Sequence, residues 1–161
     1  MFVANQSNTQ RTFSIFDAAT NTLTRTGRTG FTNTPNASGI AVNAIGTTVY
    51  ITNPSENGIT VSDVSGDTVI SRIRVGTAPI GVAVTPDSNM VYVANNGSDN
   101  VSVIHPVLLQ VVATIPVGAD PLGIAVTPNG KFVYVANEGS GTVSVISATT
   151  YEVVDEITVG T

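Results

Sequence analysis

Gly123-Ile124-Ala125-Val126-Thr127-Pro128-Asn129-Gly130 leads into Val133-Tyr134-Val135-Ala136-Asn137, and this text is written twice more upstream. It stands as Gly81-Val82-Ala83-Val84-Thr85-Pro86-Asp87 with Val91-Tyr92-Val93-Ala94-Asn95, and as Gly39-Ile40-Ala41-Val42 with Val49-Tyr50-Ile51-Thr52-Asn53. The three glycines are 42 residues apart at both steps, 81 − 39 and 123 − 81. Self-similarity at such a period marks a solenoid, propeller or array, so a residue has to be read against its counterparts in the other units.

Each unit holds four short β-prone runs divided by turn residues. In the third unit they are 81–85, 91–95, 101–104 and 111–117, named A to D here. Pro86-Asp87-Ser88-Asn89 and Pro128-Asn129-Gly130 suit A–B turns, since Pro presets φ and Asn or Gly tolerates positive φ. Asn96-Gly97 and Gly139-Ser140-Gly141 suit turns of the same kind between B and C. Runs such as Val91-Tyr92-Val93-Ala94 and Val143-Ser144-Val145-Ile146 are apolar or small throughout, as strands covered on both faces are. The fourth run differs: Ser71-Arg72-Ile73-Arg74-Val75, Thr114-Ile115-Pro116-Val117 and Val154-Asp155-Glu156-Ile157 place charge or Pro in the strand. Both are tolerated at sheet edges and hinder edge-to-edge pairing. Run D is therefore expected at the outer edge and the uncharged run A nearest a central axis. The expected fold is an all-β propeller of four-stranded antiparallel blades, with blades near 1–38, 39–80, 81–122 and 123–161.

The first unit departs from the pattern. Asn5 to Asn53 is 48 residues, with extra residues between Gln6 and Thr12 and after Leu23, and the unit starts at run B, so its inner strand is absent. Fifteen strands are expected, and the ring they make is open. Three readings remain: a segment of a longer protein whose far C-terminal strand completes the first blade, a homodimer of two four-unit chains closing about eight blades, or a small four-bladed ring.

These repeats resemble the YVTN-type β-propeller of bacterial and archaeal surface-layer proteins. The signature tetrapeptide is matched by Tyr92-Val93-Ala94-Asn95, Tyr134-Val135-Ala136-Asn137 and Tyr50-Ile51-Thr52-Asn53. The resemblance covers nearly the whole chain and implies an extracellular or cell-surface module that binds a protein or glycan partner through its blade loops. Propellers of this general kind are also similar to lactonases, nitrous oxide reductase and amine dehydrogenases, so the alternative is part of a lactonase-like or redox-associated enzyme.

Composition removes several classes of function. Six Lys plus Arg against eleven Asp plus Glu give a net charge of −5, and no basic run exists. Nucleic-acid binding lacks its electrostatic footprint. There is no Cys, which excludes thiolate chemistry and Cys-held metals. No apolar stretch of membrane-spanning length occurs. Met1-Phe2-Val3-Ala4-Asn5 reads as strand rather than signal peptide. Hydrophobic residues make 42% and charged ones 11% of the chain, enough apolar surface to fold throughout.

Residues with chemical potential are few. His105 is the single histidine and follows run C, where Asp17, Asp63 and Ser147 stand in the other units; it reads as a turn residue. Asn5, Asn53, Asn95 and Asn137 recur in every unit and so are expected to serve the blade. Run A carries no acid, base or nucleophile in any unit, so no catalytic residue and no organic cofactor is assigned. The B–C and D–A loops share one end of every blade and hold Glu56, Asp99, Asp120 and Glu138. These four are the candidate ligands for a hard cation such as Ca²⁺, and Asn96, Asp99, Asn100, Asp120 and Glu138 are the candidate binding-loop residues. Sequons at Asn5, Asn36, Asn96 and Asn100 are compatible with an exported protein. Arg25-Thr26-Gly27-Arg28-Thr29-Gly30 lacks the Lys-Ser/Thr of a phosphate loop and reads as a loop insertion.

Overall fold

The computed structural model describes residues 2–4, 12–16, 19–20, 22–28, 37–64 and 68–160. Their fifteen strands form four antiparallel sheets, each built in chain order. The first sheet has β1 (Phe2–Ala4), β2 (Thr12–Phe16) and β3 (Leu23–Arg28). The second has β4 (Ile40–Val42), β5 (Thr48–Asn53), β6 (Gly58–Asp63) and β7 (Val69–Arg74). The third has β8 (Pro79–Val84), β9 (Val91–Asn95), β10 (Asn100–His105) and β11 (Gln110–Pro116). The fourth has β12 (Pro121–Val126), β13 (Phe132–Asn137), β14 (Thr142–Ser147) and β15 (Glu152–Thr158). Asn5 and 29–36, which holds Asn36 and Gly30, lie outside the described residues, as does Asp17.

The inner strands β4, β8 and β12 lie against one another, and the outer strands β7, β11 and β15 touch more sparsely. The sheets therefore splay outward as propeller blades do. Apolar residues of adjacent sheets fill the junctions. Between the third and fourth, Tyr92, Val103 and Ile115 pack against Val133, Val135 and Ile146. Between the second and third, Tyr50, Val61 and Ile73 meet Val91, Val93 and Ile104. Burial on both faces explains why β9 is buried at every position. Burying a Val, Ile or Tyr side chain contributes about 1.5–3 kcal/mol each, so stability in this fold resides mostly at junctions.

Inner-strand glycine has a packing cause. A Cβ on Gly39 would overlap the Ile80 carbonyl oxygen of the next blade, and one on Gly81 would overlap that of Leu122. Backbones of neighbouring blades thus approach to a distance that excludes any side chain. Thr52 Oγ1 reinforces the first of these contacts by donating to Ile80 O at 2.8 Å.

Two details differ from the sequence reading. Gly97 is not in the positive-φ region: Asn96–Ser98 is a single 3₁₀ turn, and the left-handed residue is Asp99 at φ 50°. Gly97 is small because the loop between β7 and β8 crosses it, with Thr77 Cγ2 3.1 Å from where its Cβ would be. In the third A–B turn the positive φ likewise falls on Ser88, not Asn89, and the turn closes by Thr85 Oγ1 donating to Asp87 Oδ1 at 2.6 Å. That hydroxyl first, then the Asn89 N–H, hold the Asp87 carboxyl below the usual carboxylate range.

The outer edge is protected by more than charge. Every sheet has a register shift between its last two strands, at Ile15/Phe16, Val61/Ser62, Val103/Ile104 and Val145/Ile146. The shifts leave Thr24, Ile70, Val112 and Val154 without a partner across the ladder. A bulge of this kind bends and twists an edge strand away from pairing with another chain.

Candidate functional site: the loop ribbon at one end of the blades

The B–C and D–A loops interlock into a continuous ribbon. Asn57, left-handed at φ 51°, ends the turn after β5. Its carbonyl accepts from Val75 N at 3.0 Å and its Oδ1 from Ala78 N at 2.9 Å, so it grips the loop that follows β7. That loop is held from the other side by the next blade: Asn96 N donates to Ala78 O at 3.1 Å and Gly97 N to Thr77 O at 3.0 Å. The pattern repeats one blade on. Asp99 O accepts from Val117 N at 3.0 Å and Asp99 Oδ1 from Asp120 N at 2.9 Å, while Glu138 N donates to Asp120 O at 3.1 Å.

Left-handed residues make this geometry possible. Ala78 and Asp120 have φ 49° and 51°, which turns their N–H toward one loop and their carbonyl toward the other. A backbone in that region costs on the order of 1 kcal/mol for a non-glycine residue. Two hydrogen bonds at each such residue offset it.

The candidate binding residues divide accordingly. Asp99 spends Oδ1 on the loop crossing. Asn100 accepts from Asn95 Nδ2 at 2.8 Å and donates to Ser98 O at 2.7 Å, so its amide is structural. The Asp120 carboxylate lies against Gly139, where a Cβ would overlap it. Asn96, Glu56 and Glu138 have side chains with no hydrogen bond among the described residues, and Glu138 is exposed. The four acids proposed for a cation are distributed over successive loops, and no group of three or more His, Asp or Glu side chains gathers among the described residues.

The recurring asparagines sit beneath the ribbon. Asn95 Nδ2 donates to Asn100 Oδ1 and to Ser102 Oγ at 2.9 Å. Asn137 Nδ2 donates to Thr142 Oγ1 at 3.1 Å and Ser144 Oγ at 2.9 Å. Both tie the end of the second strand to the start of the third. His105 is a turn residue: its Nδ1 accepts from Val107 N at 3.3 Å and Leu108 N at 3.4 Å. Ser147 Oγ takes the same two positions in the fourth blade, from Thr149 N at 3.4 Å and Thr150 N at 3.3 Å.

Sequence reasoning found the loops but not the interlock. Its signal was present: Asn57 and Asp99 share one register, and an Asx residue in a turn tolerates left-handed backbone while accepting a backbone N–H.

A family model described as Lactonase, 7-bladed beta-propeller, matches residues 2–107 and 82–153. A search of curated proteins gives no match. Among solved structures, hydrazine synthase of Kuenenia stuttgartiensis is similar at a TM-score of 0.84 and 25% identity, over 97% of this chain and 45% of that one. A functionally unknown protein from Desulfotomaculum acetoxidans is similar at a TM-score of 0.75 and 23% identity, over 90% of this chain and 48% of that one. The chain thus spans less than half the length of either structure.

Proposed function

The chain belongs to the lactonase family of 7-bladed β-propellers, and we propose that this stretch of it is a rigid, non-catalytic scaffold that presents its loop ribbon to a protein or glycan partner. The observation that carries the reading is the ribbon itself. Its backbone is fixed by hydrogen bonds from both neighbouring blades, while Asn96, Glu56 and Glu138 project polar groups from it. Binding residues on loops held by a rigid scaffold are the usual arrangement for recognition. The YVTN-type tetrapeptides support an exported, surface-displayed setting for such a module.

A second reading is favoured by the family match: a lactonase-like enzyme to which these blades contribute walls and other blades the reacting groups. The inner strands Ile40–Val42, Pro79–Val84 and Pro121–Val126 offer no acid, base or nucleophile of their own. General acid–base or metal-assisted ring opening needs such groups within hydrogen-bond reach of the substrate.

One experiment separates the two. The chain is screened on a glycan array and assayed against a panel of aldonolactones by proton release. The scaffold reading expects glycan signal that Glu138→Ala and Asn96→Ala reduce, with lactone hydrolysis at the blank rate. Hydrolysis well above the blank would overturn it in favour of the enzyme.

A further inference from the structure

We propose that the outer groove between the first and second sheets is an anion site, bordered by Arg25, Arg72 and Arg74, for a tetrahedral oxyanion: a phosphate or sulfate group, free or carried as an ester. It is formed by the outer strands, not by the loop ribbon.

Four of the six cationic residues, Arg25, Arg28, Arg72 and Arg74, stand on the adjacent outer strands β3 and β7, and neither strand holds an acid. Arg25-Thr26-Gly27-Arg28 is thus not a loop insertion but the body of β3. Glu56 and Asp63 belong to opposite ends of the second blade, and β11 is uncharged. In a chain of net charge −5, this gathering makes one locally basic rim.

The strand faces place three of the four arginines in one groove. Ile73 and Ile115 turn toward the following blade, Ile73 to Val91, Val93 and Ile104 and Ile115 to Val133, Val135 and Ile146. Arg72 and Arg74 flank Ile73 in the strand and are exposed, so they lie on the face turned to the first blade. Thr114 and Pro116 hold the same positions on β11 and are exposed although the second blade stands before them, so the outer part of a junction is open to solvent.

Across the groove, the ladder of the first sheet sets Arg25 at the register of Ala113 and Gly27 at that of Ile115. Ala113 packs toward the fourth sheet, so Arg25 belongs to the face turned to the second blade. Gly27 stands where the other sheets have Ile73, Ile115 and Ile157. The first junction therefore lacks the outer isoleucine of the others and has arginine positions on both walls. Phe13 stands across the ladder from Gly27, on the inner side of the opening. Arg28 is at the register of Pro116, on the opposite face, and takes no part.

Like charges on facing walls repel, and an anion between them relieves the repulsion. Facing sheets lie about 10 Å apart and alternate residues of a strand about 6.7 Å apart, so guanidinium groups from both walls reach one small anion. Each presents paired N–H donors that match two oxygens of a phosphate or sulfate. A carboxylate offers two oxygens in one plane, whereas a tetrahedral oxyanion has oxygens on several sides and meets both walls at once. Arg72 has a further interaction within the chain, so Arg25 and Arg74 are the ligands tested first.

Isothermal titration of the chain with sodium phosphate and with sodium sulfate, at constant ionic strength, tests the site. One saturable event with a Kd of about 1 mM or tighter is expected for both anions. Methyl phosphate binding as well as phosphate would identify an ester as a form the site takes, and its exclusion would identify the free ion. Arg25→Ala and Arg74→Ala are each expected to weaken binding about tenfold, and Arg28→Ala less than about twofold. Gly27→Ile, which restores the residue of the other blades, is expected to weaken binding at least about tenfold by filling the opening, with an unchanged or raised thermal midpoint. No saturable heat up to about 20 mM of either anion would overturn the proposal, as would wild-type affinity in Gly27→Ile. Equal losses from Arg28→Ala and Arg74→Ala would overturn it too, since binding would then follow net charge. Heparin bound without saturable phosphate binding would overturn it in favour of a diffuse basic rim.

Discussion

The third and fourth blades carry nearly the same text and occupy different environments. Val91-Tyr92-Val93-Ala94-Asn95 is buried at every position, whereas Val133-Tyr134-Val135-Ala136-Asn137 alternates between buried and exposed. The side chains do not differ; the neighbours do. In a fold whose units touch only the units beside them, the worth of a residue is set by the junction it faces, and repeated sequence does not mean repeated energy.

Paired substitutions break or sharpen that comparison, each measured by urea unfolding at concentrations where the chain is monomeric. The largest contrast is expected at tyrosine. Tyr92→Ala opens a cavity in the third junction and should cost about 3–5 kcal/mol, and Tyr134→Ala about 1 kcal/mol or less. Equal losses would show that the fourth blade's outer face is covered in the single chain. Next comes isoleucine: Ile115→Ala is expected to lose about 2–4 kcal/mol, and Ile157→Ala under about 1 kcal/mol.

A smaller effect concerns the ribbon. Asp99→Ala removes the acceptor of the Asp120 N–H and should cost about 1 kcal/mol. Asp99→Asn, which keeps an oxygen there, should recover most of it.

The smallest effect at neutral pH becomes visible in alkali. Tyr92 has its hydroxyl buried without a hydrogen-bond partner among the described residues. Burial, and then the charges of Tyr151 and Asp87, push its pKa up to about 12. The folded state therefore keeps a proton that the unfolded chain releases near pH 10. Stability from this group is complete below about pH 10 and is lost between about pH 10 and 12. Tyr92→Phe is expected to be neutral within about 0.5 kcal/mol at pH 7 and to flatten the alkaline decline. An unaltered decline in the Phe variant would assign it to other groups.

Much of this was legible in the sequence because the repeat averages out local ambiguity. Three copies of Gly-(Ile/Val)-Ala-Val and of the Tyr-centred run locate the strands, and Arg72, Pro116 and Asp155 mark the outer ones. Other features were hidden for physical reasons. The outer-strand bulges come from a register slip between strands, which leaves no residue signature when Thr24, Ile70, Val112 and Val154 all fit a strand. The positive φ at Asp99 rather than Gly97 depends on the loop that crosses from the next blade, a contact between residues 21 apart. Of the candidate site, the loops were legible. The division of their polar residues into those spent on the crossing and those left over was not.

Glycine offers the most direct test that junctions, not residues, decide. Gly81 faces the Leu122 carbonyl, whereas the nearest atom to a Cβ on Gly123 is Ala136 Cβ at 3.7 Å, an ordinary contact. The measurement is the thermal midpoint of Gly81→Ala against that of Gly123→Ala. The account predicts a large drop for Gly81→Ala, because the third and fourth blades must separate, and an unchanged or slightly raised midpoint for Gly123→Ala. Equal drops in the two would contradict it.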